Sequence, residues 1–181
     1  MLLLARAVGP KGRVCGIDIS EEMLRLARRK VSTAGLEAMC TFTLGDAEHL
    51  AIADASFDAA TVGFGIRNTI HPEKALREIC RVLRPGGRLS VLEFSWSRSA
   101  FAQRLYDLYS FTLMPWVGRL VARHTDAYLY LQASIRDWPD QDAFATMMGQ
   151  AGFVRVRYRN LCTGIVAIHV GIRPGLADQQ G

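Results

Sequence analysis

The sequence predicts an α/β fold with a mostly parallel β-sheet. Short apolar segments alternate with amphipathic helical segments as far as Phe94, which is typical of strand–helix–strand units. The last two strand-like segments are joined by a short glycine-containing loop, which predicts an antiparallel hairpin at the sheet edge. The chain has 181 residues, of which 50% are hydrophobic and 22% charged, and this composition suits a folded domain with a core.

The elements follow from periodicity and from helix start and stop signals. The first strand is predicted over residues 13–17, with Asp18 directly at its end. The next helix begins after an N-cap at Ser20 and stops at Ala34-Gly35. Further strands are predicted over 39–44, 57–62, 88–94, 154–158 and 165–170, and further helices over 73–83 and 141–151, the latter capped by Asp140. A helical, aromatic insert covers about 99–133, within a single domain over 1–173 that is followed by a polar tail over 174–181.

The net charge of +5 comes from basic residues spread along the chain, such as Arg155, Arg157 and Arg159 on a late strand. Such spacing is typical of solvated faces, and a weak attraction to an anionic membrane surface is the functional alternative. The sequence has no zinc-finger spacing or basic arm, so we expect no nucleic-acid partner. Its cysteines and histidines form no cluster, so we expect no metal site.

Ligands of open parallel sheets bind at the carboxyl ends of the strands, and three such ends carry candidate residues. Asp18 ends the first strand, where an acid typically accepts both hydroxyls of an adenosine ribose; the alternative is a helix N-cap, for which Ser20 competes. Asp46-Ala47 ends the second strand. The Asp46 carboxylate could accept a hydrogen bond from the amino group of an adenine, and the backbone N–H of Ala47 could donate one to the adenine ring. Met23 is placed either against the adenine face or in the core.

The third strand end is the segment Gly63 to Asn68. Its two glycines, Gly63 and Gly65, predict a close backbone approach or unusual dihedral angles, and Arg67-Asn68 supplies polar donors. A surface turn is the alternative interpretation.

One stretch makes a family resemblance specific. The run from Arg81 to Ser95, Arg-Val-Leu-Arg-Pro-Gly-Gly-Arg-Leu-Ser-Val-Leu-Glu-Phe-Ser, resembles a signature of the UbiE/MenG family of quinone C-methyltransferases, with Arg84 where lysine is usual. The segments 64–68, 106–111, 128–131 with 134–135, and 139–141 agree in order and spacing, so the resemblance extends from about Val8 to Gly171.

The resemblance implies a class I methyltransferase of Rossmann-like fold that uses S-adenosylmethionine to methylate a carbon of a prenylated quinol. It implies that Asp18 binds the ribose and Asp46-Ala47 the adenine, with Gly63 standing where the family often has a serine. Arg67 and Asn68 would lie near the reacting ring, where Arg67 orients a water and stabilises a phenolate-like charge, because an arginine is a poor base.

The resemblance also implies that the helical insert covers the substrate, and it implies a location in the cell. Tyr106 and Tyr109 of the aromatic insert would contact the prenylated substrate; the alternative interpretation of the insert is a helix packed on the domain. The expected location is cytoplasmic, with peripheral contact at the inner face of the membrane and a homodimer left open. Naphthoquinol (demethylmenaquinol) and benzoquinol (2-polyprenyl-6-methoxy-1,4-benzoquinol) rings both remain open as substrates.

The family fold normally begins with a strand and a glycine-rich turn that approaches the methionine part of the cofactor, and nothing before Arg13 supplies them. We therefore expect more chain upstream, and we expect the 181 residues alone to bind the cofactor weakly or not at all. The competing functional hypotheses are an inactive relative of the family, a methyltransferase of another small molecule, and a nicotinamide-dependent oxidoreductase, against which the Pro-Gly-Gly strand and the terminal hairpin argue.

Overall fold

The computed structural model describes residues 1–96, 134–135 and 137–175, which cluster into two compact units, Met1–Ala51 and Ile52–Gly181. Each unit has its own β-sheet, and the strands that end at Asp18 and Gly63 belong to different sheets. The prediction of one domain over residues 1–173 stays a prediction.

The first unit is a parallel two-stranded sheet with helices. Its elements are α1 (Leu2–Val8), β1 (Val14–Asp18), α2 (Glu21–Thr33) and β2 (Cys40–Leu44). Its core is small: Ala5, Val31 and Cys40 are buried together, with partly buried apolar neighbours such as Val14 and Phe42 around them. Only three buried apolar side chains therefore make up this cluster.

Helix α2 begins where the sequence predicts. The Ser20 side chain accepts a hydrogen bond from the Met23 N–H at 3.3 Å, which satisfies one of the otherwise unpaired amides of the first turn. Glu21 and Glu22 lie in that turn, where the helix dipole favours acids.

The second unit is a mixed four-stranded sheet with the order β3-β4-β6-β5. Its elements are β3 (Phe57–Gly63), α3 (Pro72–Val82), β4 (Leu83–Phe94), α4 (Gln141–Gln150), β5 (Val154–Leu161) and β6 (Val166–Ile172). Strands β3 and β4 pair in parallel, whereas β6 runs antiparallel to both β4 and β5. The predicted terminal hairpin at the sheet edge is confirmed.

The core of this unit lies between the sheet and two helices. Helix α3 contacts β4, α4 contacts β5 and β6, and the helices contact each other. Burial alternates along β4, so that Leu89 and Val91 are buried while Ser90 and Leu92 are partly exposed. This period of two is that of a strand with one face on the core.

Strand β4 starts earlier than the sequence predicts. Leu83 pairs with Phe57, and pairing resumes at Arg88 with Ala59 after a bulge that contains the Pro-Gly-Gly residues. Gly87 is required there, because a Cβ atom would lie 2.8 Å from the carbonyl oxygen of Arg84. The Pro-Gly-Gly run thus lies in a bulge within a strand, and the strand predicted over 88–94 begins at Leu83.

Strand β5 lies at one end of the described strand order in this sheet, and β3 lies at the other. Its register with β6 shifts between Val154 and Arg157, and Arg155 has a positive φ of 52°. Arg157 and Arg159 are exposed. Within the ranges that the structure describes, no helix has the length and apolar character needed to cross a bilayer.

Candidate functional site

In the first unit, the two predicted adenosine-binding acids follow neighbouring parallel strands. Asp18 pairs in register with Leu44, and the Gly45 N–H donates to the Asp18 carbonyl oxygen at 3.0 Å. This bond ties the two strand exits together, so the backbone at Asp18 lies beside the segment that leads to Asp46. The structure therefore brings these two sequence-predicted residues to one edge of the sheet.

The Asp18 carboxylate does not cap helix α2, since Ser20 does so. Its Oδ1 instead accepts from the Ser20 N–H at 2.9 Å, which fixes the side chain in a tight turn after the strand. Among the described residues, none donates to Oδ2. One carboxylate oxygen is thus oriented by the backbone, and the other is left for a ligand hydroxyl.

Asp46 is held in a similar way. Its Oδ1 accepts from the Glu48 N–H at 2.9 Å, and its Oδ2 lies 3.9 Å from Nδ1 of His49. No acceptor for the Ala47 N–H is found in the described part of the chain. This donor beside an exposed carboxylate fits the amino group and ring nitrogen of an adenine.

Met23 is 55% exposed, so the alternative that it fills the core is wrong. Ile19 and Leu44 are also exposed apolar side chains, and they adjoin Asp18 in sequence and in strand register. Exposed apolar groups beside two carboxylates match the needs of a flat, partly apolar ligand with polar edges, such as adenosine.

In the second unit, the strand exit at Gly63 has an unusual dihedral angle, but not at a glycine. Phe64 has a φ of 53°, whereas neither Gly63 nor Gly65 has a positive φ. A Cβ atom on Gly63 would meet nothing within 4 Å, and on Gly65 its nearest neighbour would be Val62 at 3.5 Å. No described residue approaches the backbone closely at these two glycines, and the unusual dihedral angle lies on Phe64. A close approach of this backbone to a ligand stays a prediction.

Arg67 lies in a short 3-10 turn, Ile66–Asn68, and its side chain is 7% exposed. Its Nη1 donates to Oε1 of Glu93 at 2.7 Å and to the Phe64 carbonyl oxygen at 3.0 Å, and its Nε donates to Oγ of Ser134 at 3.4 Å. The guanidinium carbon lies 5.0 Å from the centroid of the Phe94 ring. Arg67 is therefore held on several sides.

Asn68 lies one residue further along and shares an acceptor with Arg67. Its Nδ2 is 3.4 Å from the Phe64 carbonyl oxygen. The Arg-Asn pair therefore folds back over the strand exit, with both side chains anchored at Phe64.

Glu93 is the residue that sequence reasoning missed. It is 1% exposed and pairs with Arg67 across 26 positions of sequence. The signal was present in the Leu-Glu-Phe-Ser end of the family-like run, but strand periodicity assigns Glu93 only to a core-facing position.

The predicted residues fall in two places. Asp18, Met23, Asp46 and Ala47 belong to the first unit, while Gly63, Arg67 and Asn68 belong to the second. Tyr106 and Tyr109, predicted to contact substrate, lie outside the described residues. No group of three metal-ligating side chains occurs in the part of the chain that the structure describes.

Comparison with solved structures defines the class of fold. A SAM-dependent methyltransferase from Aquifex aeolicus is similar with a TM-score of 0.65 and 19% identity, over 94% of this chain and 73% of that one. Another, from Thermotoga maritima, gives a TM-score of 0.60 and 20% identity, over 95% of this chain and 86% of that one. The fold is that of an α/β class I methyltransferase.

Sequence comparison narrows the class. Residues 1–173 match the model of the ubiE/COQ5 methyltransferase family, and the chain belongs to that family. A ubiquinone/menaquinone biosynthesis C-methyltransferase UbiE from Pseudomonas paraeruginosa is 46% identical over 170 residues, which is 94% of this chain. The chain spans 66% of the length of this relative.

Proposed function

We propose that the protein transfers a methyl group from S-adenosylmethionine to a ring carbon of a prenylated quinol. The observation that carries the proposal is the 46% identity, over 94% of this chain, to C-methyltransferases of ubiquinone and menaquinone biosynthesis. The polar groups at the three strand ends support it, because they include acceptors suited to adenosine and a fixed cation suited to a phenolate.

On the cofactor side, Asp18 would accept from the ribose hydroxyls through the oxygen that the backbone leaves unused. Asp46 and the Ala47 N–H would bind the adenine edge, and Met23 would cover its face. Gly63 would leave space where the family often has a serine. The bound cofactor supplies a methyl group on a sulfonium, which is already activated for transfer, so the protein contributes mainly positioning.

On the substrate side, Arg67 and Asn68 would contact the quinol. Among the described residues, none accepts a bond from Nη2 of Arg67, so this donor is left for a ring oxygen or for a water. The guanidinium would stabilise the phenolate that forms when the quinol hydroxyl releases its proton to water. The ring carbon would then displace S-adenosylhomocysteine from the methyl group, so that the new carbon–carbon bond forms as the carbon–sulfur bond breaks. The ring proton would then leave to a water that the Arg-Asn pair orients. Tyr106 and Tyr109 would contact the prenylated substrate.

A prenylated quinol dissolves in the membrane, so the proposal includes peripheral contact of a cytoplasmic protein with an anionic membrane face. The net charge of +5 and the exposed Arg157 and Arg159 favour such contact. A homodimer is the oligomeric state we would test first.

The test is methyl transfer by the intact gene product, including any coding sequence upstream of Met1. Labelled S-adenosylmethionine is offered with dispersed demethylmenaquinol or with the benzoquinol precursor, and the label in the lipid extract is located on the ring by mass spectrometry. We expect ring methylation of at least one quinol. No transfer to either quinol would overturn the proposal.

Asp18→Asn sharpens this test. The amide removes one charged acceptor, so we expect KM for S-adenosylmethionine to rise about tenfold or more. KM for the quinol should change less than about twofold, because the predicted contact of Asp18 is with the cofactor alone. An unchanged cofactor KM would contradict the assignment of Asp18.

A further inference from the structure

A buried carboxylate stands at the end of strand β4. The buried row on this strand runs Leu89, Val91 and Glu93, and each of the three is at most 1% exposed. Glu93 thus takes a position that the strand's alternation reserves for an apolar side chain. A carboxylate at such a position is costly unless it is paired and hydrogen-bonded.

Both oxygens of Glu93 have partners. Oε1 accepts from Nη1 of Arg67 at 2.7 Å and from the Phe94 N–H at 2.9 Å, while Oε2 lies 3.5 Å from the Arg67 N–H. The carboxylate therefore binds Arg67 through both its side chain and its backbone. This arrangement fixes the guanidinium and also the turn that carries it.

The Arg67–Glu93 ion pair connects the ends of strands β3 and β4 with a third segment of the chain, at Ser134. Gly63 pairs in register with Leu92, so β3 and β4 end side by side, and the Arg67–Glu93 bridge spans the point where both end. Arg67 reaches Ser134 as well, which is the first described residue after the insert. Rings of Phe64 and Phe94 pack at 4.9 Å between centroids beside this bridge.

Stability alone is a weak reason for such a pair. Replacing a buried ion pair by apolar side chains of similar volume is often neutral or stabilising, so the fold does not need a charge here. The carboxyl ends of parallel strands are, however, where an α/β fold binds its ligands. A fixed charge at that edge serves a reaction in which negative charge develops.

We propose that Glu93 is a positioning residue for the methyl transfer, acting through Arg67. It holds the guanidinium in one orientation, so that Arg67 acts as a preorganised cation towards the quinol oxygen rather than as a mobile side chain. This inference rests on the proposed function and adds to it a residue that is not expected to touch substrate.

The test compares Glu93→Gln and Glu93→Asp in the intact gene product, with kcat, both KM values and thermal unfolding measured. We expect Glu93→Gln to lower kcat about 30-fold or more, because a small misplacement of a catalytic group costs up to about 100-fold. KM for S-adenosylmethionine should stay within about twofold. Glu93→Asp retains the charge, so it should fold and recover part of kcat.

Asp58→Asn is the matched control, since it removes an exposed ion pair with Arg84 in the same unit. We expect its kcat and its unfolding temperature to stay near those of the wild type. Hydrogen exchange of residues 64–68 provides a readout besides activity, and it should be faster in Glu93→Gln than in this control.

A double-mutant cycle separates positioning from a purely structural role. If Glu93 acts through Arg67, Glu93→Gln should change kcat less than about threefold when Arg67 is already alanine. Independent, multiplicative losses would overturn the proposal, as would a Glu93→Asp variant with full kcat. An inactive wild type would overturn the proposed function and this role with it, whereas an active wild type with an equally active Glu93→Gln variant would overturn the role alone.

Discussion

At the scale of single residues, His169 is a buried histidine with a hydrogen-bond partner for only one of its two ring nitrogens among the described residues. Its ring packs edge-on to Phe144 at 4.9 Å, and its Nε2 lies 2.9 Å from the Gln141 carbonyl oxygen. A carbonyl accepts only, so Nε2 carries the proton and Nδ1 is left without a partner among the described residues. Burial lowers the pKa of His169, and the bond to the Gln141 carbonyl opposes this shift in part.

This environment predicts a loss of stability in mild acid. Because the folded-state pKa of His169 lies below its ordinary value of 6.5, the unfolded chain binds the proton more readily. The stabilisation is complete above pH 6.5 and is lost as pH falls below it, by at most about 1.4 kcal/mol per pH unit. Urea unfolding at pH 7.5 and 5.5 should show a larger decrease for the wild type than for His169→Gln.

The matched control for this measurement is Gln150→Ala, which changes an exposed side chain that does not titrate. Its decrease between the two pH values should equal that of the wild type. Equal decreases in all three proteins would contradict the assignment to His169.

Met23 permits a second test at the residue scale. Because its side chain is exposed, Met23→Ala should change the free energy of unfolding by less than about 0.5 kcal/mol. Loss of a sulfur–aromatic contact should weaken binding of S-adenosylhomocysteine to the intact gene product by about two- to tenfold, measured by calorimetry. Leu26→Ala, an exposed position on the same helix, should leave the affinity unchanged. Equal affinities for both variants would remove Met23 from the cofactor site.

At the scale of elements, helix α4 shows how local sequence determines a boundary. Asp140 was predicted as its N-cap, and Oδ1 of Asp140 accepts from the Ala143 N–H at 2.8 Å. The prediction is confirmed because capping depends on residues within one turn of each other. The same locality explains the correct placement of Ser20 at the start of α2.

Removal of this cap gives a prediction for α4. Asp140→Ala should lower the free energy of unfolding by about 1 kcal/mol, because the Ala143 N–H loses its acceptor. Asp140→Asn retains an acceptor oxygen and should cost at most a few tenths of that amount. Urea unfolding of the two variants checks this, and equal losses would mean that the side-chain bond is not what stabilises the helix start.

Elements whose form depends on distant residues were predicted less well. The strand predicted over 88–94 begins before the Pro-Gly-Gly run instead, because Leu83 already pairs with Phe57 of β3. The partner strand decides whether such a run is a turn or a bulge, and no local pattern contains that information. Glu93 was missed for the same reason, since its role depends on Arg67, which is remote in sequence.

At the scale of the whole molecule, the order of strands along the chain was predicted well, and the single domain over residues 1–173 stays a prediction. The residues at the strand ends, Asp18, Asp46 and Gly63, follow directly from strands that the apolar pattern reveals. The grouping of residues into compact units depends instead on contacts between residues far apart in sequence, which pattern and propensity do not report. The family resemblance supplied the roles of these residues, and chemistry at each strand end made those roles plausible.

The two units predict unfolding in two steps. The first unit has a small core around Ala5, Val31 and Cys40, so it should unfold at lower urea concentration than the second. The first unit contains no tryptophan in its sequence, whereas Trp96 and Trp138 lie in the second unit. Far-UV circular dichroism should therefore show an early transition that tryptophan fluorescence lacks.

A reporter variant provides the control for this measurement. Phe42→Trp places a tryptophan in the core of the first unit, and its fluorescence should follow the early transition. Coincident curves from both probes and from the reporter would contradict independent unfolding.

The form of strand β5 has a consequence for the behaviour of the protein at high concentration. An outermost strand offers unpaired backbone groups to any other chain, which is a common route to aggregation. The bulge near Arg155 interrupts the regular spacing of those groups, and Arg157 and Arg159 place like charges where a second copy would have to approach. This edge is thereby protected against joining copies of the chain into a continuous sheet.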